Sequence, residues 1–244
     1  MTAPMARLVC KSLAVAVLFW GCVTIERSYP DKRFFVFDLG RDAVSAGPAG
    51  NGILHIGAVR VSPRYADRSF VYRLSDNRFE ADFYNQFLIS PSILIGEEVR
   101  HELSEAGIFQ YVVGSANAPA AATHTLESTV NSLYGDFRDA RSPKAALEME
   151  FFLVQEAPVY GGIVFHMLYH QTVSVDGRTP DSLVQGWNQA LDMILSSLVS
   201  DLKTVSLQSK ADLSKRTGRT GPDSNYFTSR GAHGKDRTGA AVTR

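Results

Sequence analysis

Apolar and polar residues alternate along most of the middle of this chain, the period-2 pattern of strands with one buried face. Arg33 to Asp38 (RFFVFD) and Ile53 to Val61 read as the first two strands, separated by the Gly-, Pro-, Ser- and Ala-rich stretch from Ser45 to Gly52. Phe70 to Leu74 and Arg78 to Phe83 form a predicted hairpin, because Ser75, Asp76 and Asn77 between them carry short polar side chains suited to a tight turn. Three longer strands follow at Thr125 to Phe137, Ala145 to Gln155 and Gly162 to Val175, with Gly161 and Gly162 turning between the last two. The succession predicts an antiparallel meander.

Two stretches repeat at helical spacing instead. The first starts at Ser90-Pro91, a cap residue followed by proline at the first helical position, and runs to about Ala106 before Gly107. Ile95, Val99, Leu103 and Ala106 give it an apolar face. The second starts at Thr179-Pro180-Asp181 and carries Leu183, Trp187, Leu191, Ile194, Leu198 and Leu202 on one stripe through about Lys203. The expected fold is α+β: a largely antiparallel sheet with the two amphipathic helices packed on one face, in two layers.

The apolar run at the N-terminus has a different character. Residues 1 to 11 contain Arg7 and Lys11 and no acid, residues 12 to 20 read SLAVAVLFW, and Gly21-Cys22 follows. That order is the n-region, h-region and cleavage site of a signal peptide, and a small residue before cysteine is what lipoprotein processing requires. Cys22 is then the expected site of covalent diacylglycerol and acyl attachment and the first residue of the mature chain. A retained transmembrane helix is disfavoured, since the uncharged stretch from Ser12 to Ile25 falls below the roughly 20 residues that span ~30 Å of hydrocarbon. Ordinary secretory cleavage is the other alternative, because Phe19 and Trp20 stand where a lipoprotein signal usually has leucine and a small residue. Val23 after the cysteine, in place of aspartate, favours sorting to the outer membrane of a Gram-negative bacterium, facing the periplasm.

Composition adds three constraints. The 244 residues, less the signal and a tail, suffice for one domain with a sizeable core. Cys10 and Cys22 are the two cysteines, so the mature domain has none for a disulfide and thiol chemistry is excluded. The formal net charge of zero hides an asymmetry: residues 22–203 hold 15 Lys and Arg against 22 Asp and Glu, whereas residues 204–244 hold 8 against 3. The latter segment is rich in Gly, Ser, Thr, Lys and Arg and lacks an apolar period, which predicts a basic disordered tail. The organisation is therefore signal peptide 1–21, tether 22–32, domain 33–203 and tail 204–244.

Motifs for chemistry are scarce. There is no phosphate-binding loop, and Gly231-Ala-His-Gly-Lys235 has the wrong spacing and context for one. No G-x-S-x-G nucleophile elbow occurs. His166 and His170, four apart on a strand, stand roughly 13 Å from each other, too far to share one metal. Glu148 and Glu150 read as the solvated side of a half-buried strand. The expectation is a non-enzymatic protein with no cofactor beyond the lipid on Cys22.

The segment from Ser62 to Pro91, SPRYADRSFVYRLSDNRFEADFYNQFLISP, is richer in aromatic residues and arginine than a core hairpin needs. With Tyr134-Gly-Asp-Phe137, the E-M-E-F-F strand from Glu148 to Phe152 and Gly186-Trp187-Asn188, it resembles the ABC-type transport auxiliary lipoproteins, the PqiC-like family, over about residues 30 to 203. The resemblance implies an outer-membrane-anchored auxiliary component of an intermembrane transport system, partnered by an MCE-domain protein, with phospholipid or another apolar molecule as cargo. An exported protein does not normally meet nucleic acid, so no nucleic-acid partner is expected, and a homo-oligomer is compatible with a tube-forming partner. The alternative is a structural or assembly lipoprotein of another envelope complex that never touches cargo. Phe70, Tyr72, Phe83, Tyr84 and Phe87 are the candidate contacts to partner or lipid, aromatic residues being enriched at interface anchors, with about half of these rings expected to face inward.

Overall fold

The computed structural model describes residues 30–40, 50–114, 122–156 and 161–217. Cys22 and the tail beyond Thr217 lie outside the described residues. The elements are β1 (Arg33–Phe35), β2 (Ile53–Ile56), β3 (Arg60–Val61), β4 (Ser69–Arg73), β5 (Phe79–Phe87), α1 (Pro91–Glu105), β6 (Tyr111–Val113), β7 (His124–Asp136), β8 (Lys144–Gln155), β9 (Gly162–Ser174) and α2 (Pro180–Thr217).

Strand β7 is the spine. One flank pairs along its whole length with β8, antiparallel, and β8 pairs antiparallel with β9, so the meander at the C-terminal end of the sheet is as expected. The other flank takes three short strands end to end: β2 at Leu126, β3 at Val130 and β4 at Asp136, each parallel to β7. Gly57 separates the first two, and a Cβ there would stand 3.2 Å from the Leu126 carbonyl oxygen. β6 adds in parallel to β2, β5 adds antiparallel to β4, and β1 adds in parallel to β5 as an edge.

The nine-stranded sheet is therefore mixed, which corrects the expectation of a largely antiparallel sheet with both helices packed on one face. Alternation along a strand reports which side chains are buried and is silent on the direction of the neighbouring strand. The two helices also serve different strands, α1 lying beside β3 and β6 and α2 over β8 and β9. Their apolar stripes establish that each has a buried face without specifying what it meets.

Both helix starts follow their sequence signals. Pro91 occupies the first turn of α1, where its missing N–H costs nothing, and Gly107 after the helix adopts a φ of 65° that a residue with a Cβ rarely takes. At α2 the Ser182 amide donates to the Thr179 hydroxyl, the N-cap arrangement. This helix continues to Thr217 instead of ending near Lys203, so the first part of the expected tail has helical backbone. The core is a single cluster in which Leu183, Trp187, Leu191, Ile194, Leu195 and Leu198 of α2 meet the strands.

Gly186 marks how closely α2 approaches the sheet. A Cβ there would stand 2.5 Å from Val175 Cγ1 and 2.7 Å from Ala145 Cβ. Alanine is the better helix former by about 1 kcal/mol, but overpacking a core costs typically 1–3 kcal/mol, so the clash wins. Gly186→Ala is expected to lower stability by about 1 kcal/mol net in urea denaturation, a sign opposite to that of Gly→Ala at an exposed helical site.

Candidate functional site

The aromatic segment divides its rings between two environments. Phe70 and Phe87 are fully buried and lie 4.8 Å apart between centroids, with Trp187 5.0 Å from Phe70 in an edge-on arrangement and 5.6 Å from Phe87. They are core residues. Tyr72 is half-buried; its hydroxyl donates to Asp82 Oδ2 at 2.6 Å, and burial with the adjacent carboxylate pushes the phenol well above its ordinary pKa.

Phe83 and Tyr84 belong to a bulge. Across β4 and β5, Val71 faces Ala81 whereas Ser69 faces Gln86, so the chain from Asp82 to Asn85 loops out of register. Asp82 organises the loop. Its Oδ1 accepts from the Tyr84 and Asn85 amides at 2.8 and 3.0 Å, and its Oδ2 accepts from Asn85 Nδ2 at 2.6 Å as well as from Tyr72. Burial disfavours the charged carboxylate, but the hydrogen bonds from Asn85 and Tyr72 outweigh it and hold Asp82 below the usual carboxylate range. Phe83 is thrust outward by this loop to 64% exposure, with Tyr84 edge-on at 5.2 Å and the Lys32 ammonium 4.2 Å over its ring.

The exposed ring has company that sequence reasoning missed. Phe34 on β1, Val36 just after β1 and Leu88 just after β5 are 48%, 41% and 51% exposed. They are adjacent through the strand pairing, since Phe34 faces Gln86 and the Leu88 amide donates to the Phe35 carbonyl. The Arg68 guanidinium stands 5.4 Å over the Phe34 ring while its Nε donates to the Phe87 carbonyl. A signal existed in the sequence: RFFVFD is apolar on both parities, and only Phe35 and Phe37 of that run are needed inside. A strand apolar on both faces at a sheet edge leaves one face uncovered.

Two further features frame this surface. A cavity of about 510 Å³ opens beside the β4–β5 turn, lined by Arg64, Tyr65, Val71, Asp76, Phe79 and Glu80 among others. Its walls carry both charge signs. On the far strands the Glu–His positions form cross-strand pairs, His166 Nε2 lying 2.7 Å from Glu150 and His170 Nδ1 3.3 Å from Glu148. Each glutamate contacts its own histidine, and among the described residues no group of three or more His, Cys, Asp or Glu side chains is placed to hold a metal. No described helix is long and apolar enough to cross a membrane.

The architecture recurs among solved structures. Protein XCC0632 from Xanthomonas campestris, a DUF330 family protein, is similar with a TM-score of 0.58 and 12% identity, over 75% of this chain and 97% of that one. A second, uncharacterized protein is similar with a TM-score of 0.55 and 18% identity, over 71% of this chain and 99% of its own. At these identities the likeness is one of fold. No family model matches the chain, and no curated protein is similar to it in sequence.

Proposed function

We propose that the chain is a bacterial envelope lipoprotein, held at the outer membrane by acyl chains on Cys22, that serves as a non-enzymatic auxiliary component of an MCE-type intermembrane lipid transport system. The observation that carries this reading is the fold shared with a DUF330 family protein over 75% of the chain, behind an N-terminus that ends its apolar run at Gly21-Cys22. In physical terms the domain contributes binding surface, and the energy for transport comes from a separate ATPase. Two or more acyl chains give stable anchoring where one gives only marginal binding.

Affinity purification from detergent-solubilised envelopes, with mass spectrometry of proteins and lipids, tests it. Wild type is expected to carry acyl mass on Cys22 and to bring down an MCE-domain protein, and Cys22→Ala is expected to leave the membrane fraction. An unmodified Cys22 together with no such partner would sink the proposal, and an acylated chain that brings down a different envelope assembly would favour a structural role there.

A further inference from the structure

We infer that the β1 edge of the domain lies on the phospholipid bilayer itself, with Phe83, Phe34, Val36 and Leu88 seated at the boundary between headgroups and acyl chains. The inference deepens the proposed function and rests on Cys22 being acylated.

The placement follows from where the chain enters the fold. From Cys22 to Lys32 the tether can extend at most ~35 Å, and it delivers the chain to β1, the outermost strand on its side of the sheet. Lys32 is the residue whose ammonium covers the exposed Phe83 ring, at 4.2 Å. The apolar surface is therefore at the root of the tether, the part of the domain that an anchored N-terminus holds nearest the membrane. Anchoring makes bilayer contact intramolecular for the whole domain, and a patch at the root of the tether meets the membrane with the least reorientation.

The chemistry of the rim suits a phospholipid surface. Lys32 and Arg68 lie over Phe83 and Phe34, so each exposed ring is accompanied by a cation whose charge can turn to phosphate while its stem and the ring face acyl chain. Arg33 beside them is engaged by Asp181 at 3.7 Å, which keeps the local charge modest. Binding would then depend chiefly on apolar burial, with the cations setting orientation. The Asp82 loop takes Phe83 out of line with the buried Asn85 and Phe87, where strict alternation would have kept it, and exposes it beside Lys32 just before β1.

Depth-dependent fluorescence quenching on the full, natively processed chain tests the placement. Phe83→Cys and, separately, Leu168→Cys are labelled with a bimane and reconstituted into phosphatidylethanolamine–phosphatidylglycerol vesicles containing a nitroxide near the top of the acyl chain. Leu168 is also apolar and 50% exposed, but it sits on β9, five strand spacings from β1, or about 24 Å along the sheet. The label at position 83 is expected to be quenched severalfold more than that at 168. Phe34→Cys and Leu88→Cys should follow position 83, which guards against a local defect in one variant. Equal quenching at 83 and 168, or a blue-shifted label at 83 that no lipid nitroxide reaches, overturns the inference while acyl mass on Cys22 leaves the anchor standing. Absence of that mass overturns the anchor and the placement with it.

Discussion

Trp187→Ala is expected to destabilise the domain by about 3–5 kcal/mol, the range for removing a large aromatic side chain from a close-packed core. The indole is fully buried, touches Phe70 edge-on and Phe87 at a tilt, and donates its N–H to the Tyr134 carbonyl at 3.3 Å. It therefore joins α2 to β4, β5 and β7 at one point, and alanine would leave a void that three separate elements border and none can fill. For a domain of this size such a loss corresponds to a fall in melting temperature of roughly 6–20 °C. Far-UV circular dichroism should follow the transition, because the chain has two tryptophans and the other, Trp20, belongs to the expected signal peptide. Trp187→Phe, which keeps most of the ring volume and loses the N–H, should recover more than half of the loss. A cost below about 1 kcal/mol for the alanine variant would mean that the three elements do not share one core.

The second large effect is expected at Asp82. Its carboxylate receives four hydrogen bonds, from the Tyr72 hydroxyl, the Asn85 amide side chain and the backbone amides of Tyr84 and Asn85. Asp82→Ala strands all four donors. Each unsatisfied buried donor costs about 1–3 kcal/mol, and since the site is only half-buried and water will reach part of it, a total near 3 kcal/mol is expected. The pH dependence has a definite sign. The folded carboxyl titrates below its ordinary range, so its contribution is complete above the unfolded value of about 4 and is lost as pH falls through the folded value. Asp136, held low by the side-chain hydrogen bonds from Arg138, adds to the same acid loss. Urea midpoints at pH 7 and pH 3 should differ more for wild type than for Asp82→Ala. Equal differences would show that the loop does not depend on a charged carboxylate.

These two sites also mark where the sequence is legible and where it stops. The stripe from Leu183 through Leu202 is readable because helical burial repeats with a fixed period, and Trp187 stands in it. The long strands β7, β8 and β9 are readable for the same reason. Of the five aromatic candidates between residues 70 and 87, Phe70 and Phe87 are core and Phe83 is exposed, and alternation alone cannot sort them because the Asp82 loop shifts the register between them. Strand β6 is three residues long, too short to carry a period, and it exists because β2 offers it an edge. The parallel placement of β2, β3 and β4 along β7 is a property of partners remote in sequence, and no local pattern encodes it. The exposed edge formed by Phe34, Val36 and Leu88 was visible as excess apolarity but needed the pairing of β1 with β5 to become a surface.

The spine arrangement has a consequence for the time course of folding. Ile53 meets Thr123 across 70 positions, and each of the three strands laid along that flank of β7 waits for the same late segment. A chain emerging N-terminus first would leave the β7-facing edges of β2, β3 and β4 unpaired until β7 has been delivered, even where β5 and β6 already cover the other edges of β4 and β2. Closing loops of that length before any contact rewards them slows the search, so refolding in vitro should be slow for a chain of this size; if the chain is exported as proposed, it should need a holdase until roughly half of the polypeptide has crossed.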